Sequence, residues 1–149
     1  MNAQEMNQKA RETLEKLKPT LDDVKVSGER MKNHPNKLDK EFYLAMQDDF
    51  SKYYDDVVEG YIDVAVMLDE GIATLTTLLR IDYQNKHEND TKIKVPGKDI
   101  LENEAKVDLK EVSEIKTILG GREKVVRNYI ATCRSHVNAF TGQQQEDNE

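Results

Sequence analysis

The apolar residues between Phe42 and Tyr83 recur at a spacing of four, four and three residues, repeated without interruption, and no other feature constrains the fold as strongly. Eleven residues over three turns is about 3.67 residues per turn, close to the period of a natural α-helix. The pattern therefore predicts one long helix with a single apolar seam. We expect this helix to run from about 37 to about 86, with Asn36 as its N-cap and Asp39 as the capping-box partner.

A helix of that length should not be able to cover its seam against short neighbours within so small a chain, so the pattern predicts self-association into a homo-oligomer. Gly60 and Gly71 lie beside the seam, where each costs about 1 kcal/mol relative to Ala in a helix interior. Two interpretations of these glycines stay open, namely close approach of another backbone or a kink that yields two shorter helices. The residues expected at the oligomer contact are Phe50, Val57, Tyr61, Val64, Leu68, Ile72, Leu75 and Leu79.

A second apolar pattern predicts another long helix, which makes the fold class all-α. Val112, Leu119, Val126, Cys133 and Phe140 recur every seven residues. The adjacent glycines at 120–121 indicate a hinge or break in this helix. We expect two long antiparallel helices, at about 37–86 and 108–140, within one oligomerisation domain at 37–140.

The segments outside these two helices are expected to be an N-terminal appendage, a loop and a tail. Residues 1–36 form the helical appendage, with a first helix ending near Pro19 and a short second helix through about Met31. A long polar loop covers 87–107, and residues 91–95 within it alternate like one edge strand. The polar residues 141–149 are expected to form a disordered tail.

Composition excludes several classes of protein. The net charge is −7, and no run approaches the ~18 apolar residues of a membrane span. The N-terminal residues carry charges where a signal peptide is apolar, so we expect a cytoplasmic protein with no membrane association. Cys133 is the single cysteine, which excludes an internal disulfide and a zinc-binding cysteine pair.

The sequence does not favour an enzyme. Asp56, Glu59 and Asp63 share one helical face and could hold Mg²⁺ as in all-α nucleotide hydrolases, with Glu111 and Glu114 as candidates from the second helix. A solvated acidic face is the simpler interpretation. No P-loop, nucleophile elbow or Cys/His nucleophile is present, so we expect no catalysis, no cofactor and no resident metal.

Positive charge is concentrated in the second half of the chain. Residues 39–70 hold ten acids against two lysines, whereas residues 71–134 hold twelve bases against ten acids. Cations that follow phosphates, together with an aromatic ring that stacks on a base, are typical of single-stranded nucleic-acid binding. The candidate nucleic-acid-binding residues are Arg80, Tyr83, Lys86, Lys92, Lys94, Lys116, Arg122, Lys124 and Arg127, with Arg134 in the same basic segment.

Two stretches in this half resemble the UvsY-type recombination mediators of tailed phages. They are Arg80-Ile81-Asp82-Tyr83 and the segment at 113–119, SEIKTIL. The resemblance implies a non-enzymatic protein that assembles into rings and binds single-stranded DNA through Arg80 and Tyr83. It also implies two protein partners, a RecA-like recombinase and a single-stranded-DNA-binding protein, and, if the protein is phage-encoded, a location in the host-cell cytoplasm.

A second interpretation stays open beside this one. The protein would be a helical adaptor or structural protein that assembles through its eleven-residue repeat and binds a protein partner but no nucleic acid. Its charges would then only maintain solubility. Salt-sensitive preference for single strands separates the two interpretations.

Overall fold

A computed structural model describes the backbone of residues 1–148 and the side chains of residues 1–142. This part of the chain forms four helices and no strand, and the predicted all-α fold is confirmed. None of the described helices has the length and apolarity that a membrane crossing requires. The helices are α1 (Ala3–Asn33), α2 (Lys40–Asn89), α3 (Lys98–Asp108) and α4 (Lys110–Asn148).

The chain packs as two compact units. The first unit comprises Met1–Glu15 and Ile62–Ile118, and the second comprises Lys16–Tyr61 and the chain from Leu119 onward. Each unit contains parts of α1, α2 and α4, and α3 belongs to the first. In the second unit the Tyr43 ring stacks on His136 and the Phe50 ring on Tyr129, so α2 and α4 run antiparallel there, as predicted.

Helix α1 is continuous, whereas the sequence predicts a helix end near Pro19. Proline removes one backbone donor and crowds the preceding turn, at a cost of about 3 kcal/mol. Buried side chains recur every seven residues on both sides of the proline, at Ala10, Leu17, Val24 and Met31. Only an unbroken helix presents all four on one face, and their burial offsets the cost of the proline. The predicted appendage therefore contributes core residues to each unit.

Helix α2 begins three residues later than predicted because Asp39, not Asn36, caps it. The Phe42 N–H donates to Asp39 Oδ1 at 3.1 Å, which is the contact of an N-cap side chain. Asn36 instead accepts from the Leu38 N–H at 3.1 Å and shapes the preceding turn. His34 Nε2 lies 3.0 Å from Asp39 Oδ2 and holds the capping carboxylate in place.

The apolar seam of α2 is covered by helices of the same chain. Phe50, Val57 and Val64 are fully buried, and Leu68 and Leu75 are each 8% exposed. The remaining predicted contact residues, Tyr61, Ile72 and Leu79, are half-buried. The expectation that one chain could not cover this seam is therefore wrong, because α1, α3 and α4 supply the missing apolar surface. Self-association stays a prediction, but an uncovered seam no longer supports it.

Three of the glycines singled out in the sequence lie in continuous helices. A Cβ on Gly71 would lie 2.8 Å from Met6 Sδ and 2.9 Å from Leu109 Cδ1. Gly71 thus permits close packing against side chains of its own chain rather than against another backbone. A Cβ on Gly120 would lie 3.1 Å from Tyr61 Cε2, whereas Gly121 faces open space. The predicted break at 120–121 is absent because α4 continues through both glycines.

The predicted loop at 87–107 is mostly helical. α2 continues to Asn89, and α3 buries Leu101 and Ala105, so only residues 90–97 connect the two helices. Residues 91–95 form a turn and irregular backbone, not an edge strand. α4 likewise continues through Asn148 where a disordered tail is predicted from 141, because helical hydrogen bonds are local and Gln and Glu are good helix formers. The last residue, 149, lies outside the described part.

Candidate nucleic-acid interface

The predicted DNA-binding residues fall into two groups, one in each unit. Arg80, Tyr83, Lys86, Lys92, Lys94 and Lys116 belong to the first unit, and Arg122, Lys124 and Arg127 belong to the second. The structure gives each group a different electrostatic setting.

In the first unit, the side chains near the end of α2 already have partners. Lys86 Nζ lies 2.9 Å from Asp82 Oδ2 and 5.4 Å from the centre of the Tyr83 ring. The hydrogen bond to Asp82 raises the pKa of Lys86. The Tyr83 hydroxyl donates to Glu104 Oε2 at 3.3 Å. One face of the ring that was expected to stack on a base is therefore occupied by an ammonium group.

The connection after α2 presents two further lysines. The Asp90 carbonyl accepts from the Ile93 N–H at 3.0 Å, and His87 Nδ1 lies 2.6 Å from the Ile93 carbonyl, which fixes the turn against the end of α2. Lys92 and Lys94 are exposed on this turn. The first unit as a whole holds fifteen acids against ten bases, and this net negative charge weakens its attraction for a polyanion.

In the second unit, the part of α4 whose side chains are described carries mostly positive charge. Between Leu119 and Gly142 it carries four bases, Arg122, Lys124, Arg127 and Arg134, all exposed, and one acid. The acid is Glu123, and its side chain is only 14% exposed. Asn, Ser and Thr side chains fill other exposed positions, and they can also donate hydrogen bonds to phosphate oxygens.

Glu123 is held by neighbours that reduce its effect on this surface. The Tyr54 hydroxyl of α2 donates to Glu123 Oε1 at 3.0 Å, and Arg127 Nε lies 3.6 Å from the same oxygen. This hydrogen bond is the main cause that raises the pKa of Tyr54, so the phenol stays a neutral donor. Among the residues with described side chains, Arg122, Lys124 and Arg134 form no ion pair and are available to an external anion.

The candidates for other chemistry are not assembled into sites. Within residues 1–142 no three His, Cys, Asp or Glu side chains converge as a metal site would require, and the predicted acidic face on α2 is exposed. Cys133 is buried with its Sγ 3.4 Å from Met31 Sδ, and burial raises its pKa to about 11. A thiol in that environment is protonated and unreactive at neutral pH.

Comparison of the chain with protein-family models, with curated proteins and with solved structures finds no match of any of the three kinds. The resemblance to UvsY-type mediators therefore rests on the two stretches quoted above.

Proposed function

We propose that this protein is a non-enzymatic accessory protein that binds single-stranded DNA, and that the exposed side of α4 in the second unit holds the DNA backbone. The observation that carries the proposal is the charge of α4 between Leu119 and Gly142, where four exposed bases stand against one acid that is already bound by Tyr54 and Arg127. Phosphates attract such a surface by Coulomb forces and counterion release. The choice of DNA, and a role in loading a recombinase, are supported by the resemblance to UvsY-type mediators.

Protein partners fit the remaining surface. Residues 39–70 carry a net charge of −8, and Asp48, Asp56 and Glu59 among them are exposed. An acidic helix face of this kind suits a basic partner protein, such as a recombinase or a single-stranded-DNA-binding protein. Assembly into a homo-oligomer would repeat the α4 surface and raise its avidity for a long strand.

Fluorescence anisotropy of a labelled ~40-nucleotide single strand tests the proposal, with a duplex of the same length as competitor. We expect preference for the single strand and an affinity that falls between low salt and ~0.2 M salt. If the protein does not bind the single strand at low salt, the proposed function is wrong.

Two triple variants with equal loss of charge locate the interface. Replacing Arg122, Lys124 and Arg134 with Ala should weaken binding and reduce the slope of log K against log salt by about 2, since each phosphate contact on a single strand contributes about 0.7. The matched control replaces Arg80, Lys92 and Lys94 with Ala. If the control variant alone loses affinity, the interface lies in the first unit, which contains the Arg80 that the resemblance implies, and the assignment to α4 is wrong.

The adaptor alternative is favoured by a separate observation. Among the described residues, twelve large apolar side chains are exposed, and nine of them belong to the first unit. Protein-binding regions expose apolar side chains, and among the described residues the first unit exposes three times as many of them as the second. Replacing Val66 and Ile81 with Lys should then reduce the mass measured by light scattering, whereas the same change at Val26 and Leu44 in the second unit should not. If the unmodified protein is monomeric, the self-assembling form of this alternative is wrong.

A further inference from the structure

A groove in the second unit, between α2 and α4, has a composition that the proposed function does not require. It encloses about 410 Å³. Side chains of α2 form one wall and side chains of α4 form the other. The lining includes Ser51, Tyr54 and Asp55 of α2 and Arg127, Ile130 and Arg134 of α4.

The α4 wall offers hydrogen-bond donors with positive charge. Arg127 and Arg134 are seven residues apart, which places them on the same side of the helix with a rise of about 10 Å between them. Arg134 forms no ion pair with any residue whose side chain is described, and Arg127 has a single ion-pair contact there, between its Nε and Glu123 Oε1 at 3.6 Å. Guanidinium groups bind phosphate oxygens with two parallel hydrogen bonds, so this wall suits an anionic phosphodiester.

The α2 wall offers only acceptors. The Ser51 hydroxyl donates to the Gln47 carbonyl at 2.8 Å, and the Tyr54 hydroxyl donates to Glu123, so both hydroxyl hydrogens are engaged and only oxygen lone pairs face outward. Asp55 is exposed and forms no ion pair within the described part of the chain. A carboxylate accepts hydrogen bonds and repels other anions and carbonyl oxygens. This wall therefore suits a neutral group that carries N–H donors.

The geometry points to a nucleotide-binding subsite for a single strand whose base carries an exocyclic amino group, with the phosphate on Arg127 and Arg134 and the amino group on Asp55. Ile130 and the Tyr54 ring supply apolar surface for the base between the two walls. Cytosine presents its N4 amino group to such an acceptor, as carboxylates accept from cytosine elsewhere. Thymine presents an imide N–H between two carbonyl oxygens. The Asp55 carboxylate repels these two oxygens.

The subsite also provides a reason for strand preference. A base within a duplex is stacked between its neighbours and hydrogen-bonded on its Watson–Crick edge, so it reaches a groove only after extrusion from the helix. A base in a single strand enters without that cost. The inference rests on the proposed single-strand binding and adds to it a preference among bases.

Anisotropy with oligo(dC) and oligo(dT) of about 20 nucleotides tests the inference on the full chain, above neutral pH where oligo(dC) stays unfolded. We expect oligo(dC) to bind about fivefold more tightly than oligo(dT), at the lower end of what one base-edge contact gives. Asp55→Asn should abolish the preference, because its carboxamide also donates and no longer repels carbonyl oxygens. Asp56→Asn, at an exposed neighbour outside the groove, should keep it.

Three outcomes separate the inference from the proposed function. A dC preference that Asp55→Asn removes supports both. Binding with equal affinity for the two homopolymers, or a preference that Asp55→Asn leaves intact, overturns the subsite while the proposed function stands. Failure to bind either homopolymer at low salt overturns both. Circular dichroism of each variant shows whether the helical fold is intact, and none of these exposed positions is part of the core.

Discussion

A pair of glycine substitutions on two helices of the second unit tests the packing that positions the candidate interface. Gly28 of α1 faces the Tyr129 ring of α4, and a Cβ built on Gly28 would lie 2.6 Å from Tyr129 Cζ and Oη and 2.7 Å from Cε2. Carbon atoms in contact are normally about 3.5 Å apart or more, so the ring would have to move by about 0.9 Å. Nothing lies within 4 Å of a Cβ on Gly121.

The expected energies follow from these distances. Ala in place of Gly in a helix interior stabilises by about 1 kcal/mol, and this gain applies at both positions. At Gly28 it is opposed by an overpacking cost of about 1–3 kcal/mol, because the Tyr129 ring is stacked on Phe50 with ring centres 5.0 Å apart and has little room to turn. Gly121→Ala should thus stabilise by about 1 kcal/mol, and Gly28→Ala should be neutral or destabilising by up to about 2 kcal/mol.

Thermal unfolding monitored by far-UV circular dichroism is the assay. For a chain of this size 1 kcal/mol shifts Tm by about 2–4 °C, so the two variants should differ by roughly 2–12 °C. The Tyr129→Leu background supplies the control, because removal of the ring should turn Gly28→Ala from a destabilising into a stabilising change. An increase in Tm for Gly28→Ala as large as that for Gly121→Ala would refute the proposed close contact between α1 and α4.

Four further predictions concern the core and the cap of α2. Leu68→Asp should lower the free energy of unfolding by several kcal/mol rather than dissociate an oligomer, since Leu68 is only 8% exposed within one chain. A folded species of lower mass in light scattering would contradict this. Asp39→Ala should lower the free energy of unfolding, measured by chemical denaturation, by about 1 kcal/mol, and Asn36→Ala should lower it less. A larger loss for Asn36→Ala would show that Asn36 is the N-cap. Tyr43→Phe should stabilise by about 1 kcal/mol, because the buried Tyr43 hydroxyl has no hydrogen-bond partner among the described residues; a loss of stability would reveal a partner. Burial raises the pKa of Cys133 from 9.0 to about 11. The buried thiol therefore contributes fully to stability below about pH 9, and this contribution is lost as pH rises towards 11. If a Cys133→Ser variant loses stability at alkaline pH to the same extent, other groups cause that loss.

The candidate site shows where prediction from sequence succeeded and where it failed. Arg122, Lys124 and Arg127 were identified from charge alone, because a stretch in which bases outnumber acids is visible in a linear sequence. Tyr83 and Lys86 were selected in the same way, yet side-chain contacts with Glu104 and Asp82 engage them. These contacts depend on where α3 lies and on the rotamers chosen at the end of α2.

The groove residues Ser51, Tyr54 and Asp55 were not predicted as a site. Ser51 looks like an ordinary exposed helix residue, and Asp55 was counted only among the ten acids of residues 39–70. A partial signal was present, since Arg127 and Arg134 lie seven residues apart with no acid between them. The opposite wall of the groove comes from residues more than seventy positions earlier in the chain. No local sequence pattern indicates that these two segments form one groove.

The sequence alone determined the all-α fold class, the existence of two long helices and which of their faces are apolar. These properties are local, because an α-helix repeats every 3.6 residues and its apolar side is read directly from the spacing. Only the tertiary structure decided which surface covers the seam of α2, whether Pro19 and the glycines at 120–121 interrupt their helices, and which cations stay unpaired. Those outcomes depend on the free energy of burying distant segments against one another, which outweighs a local cost of a few kcal/mol and leaves no periodic mark in the sequence.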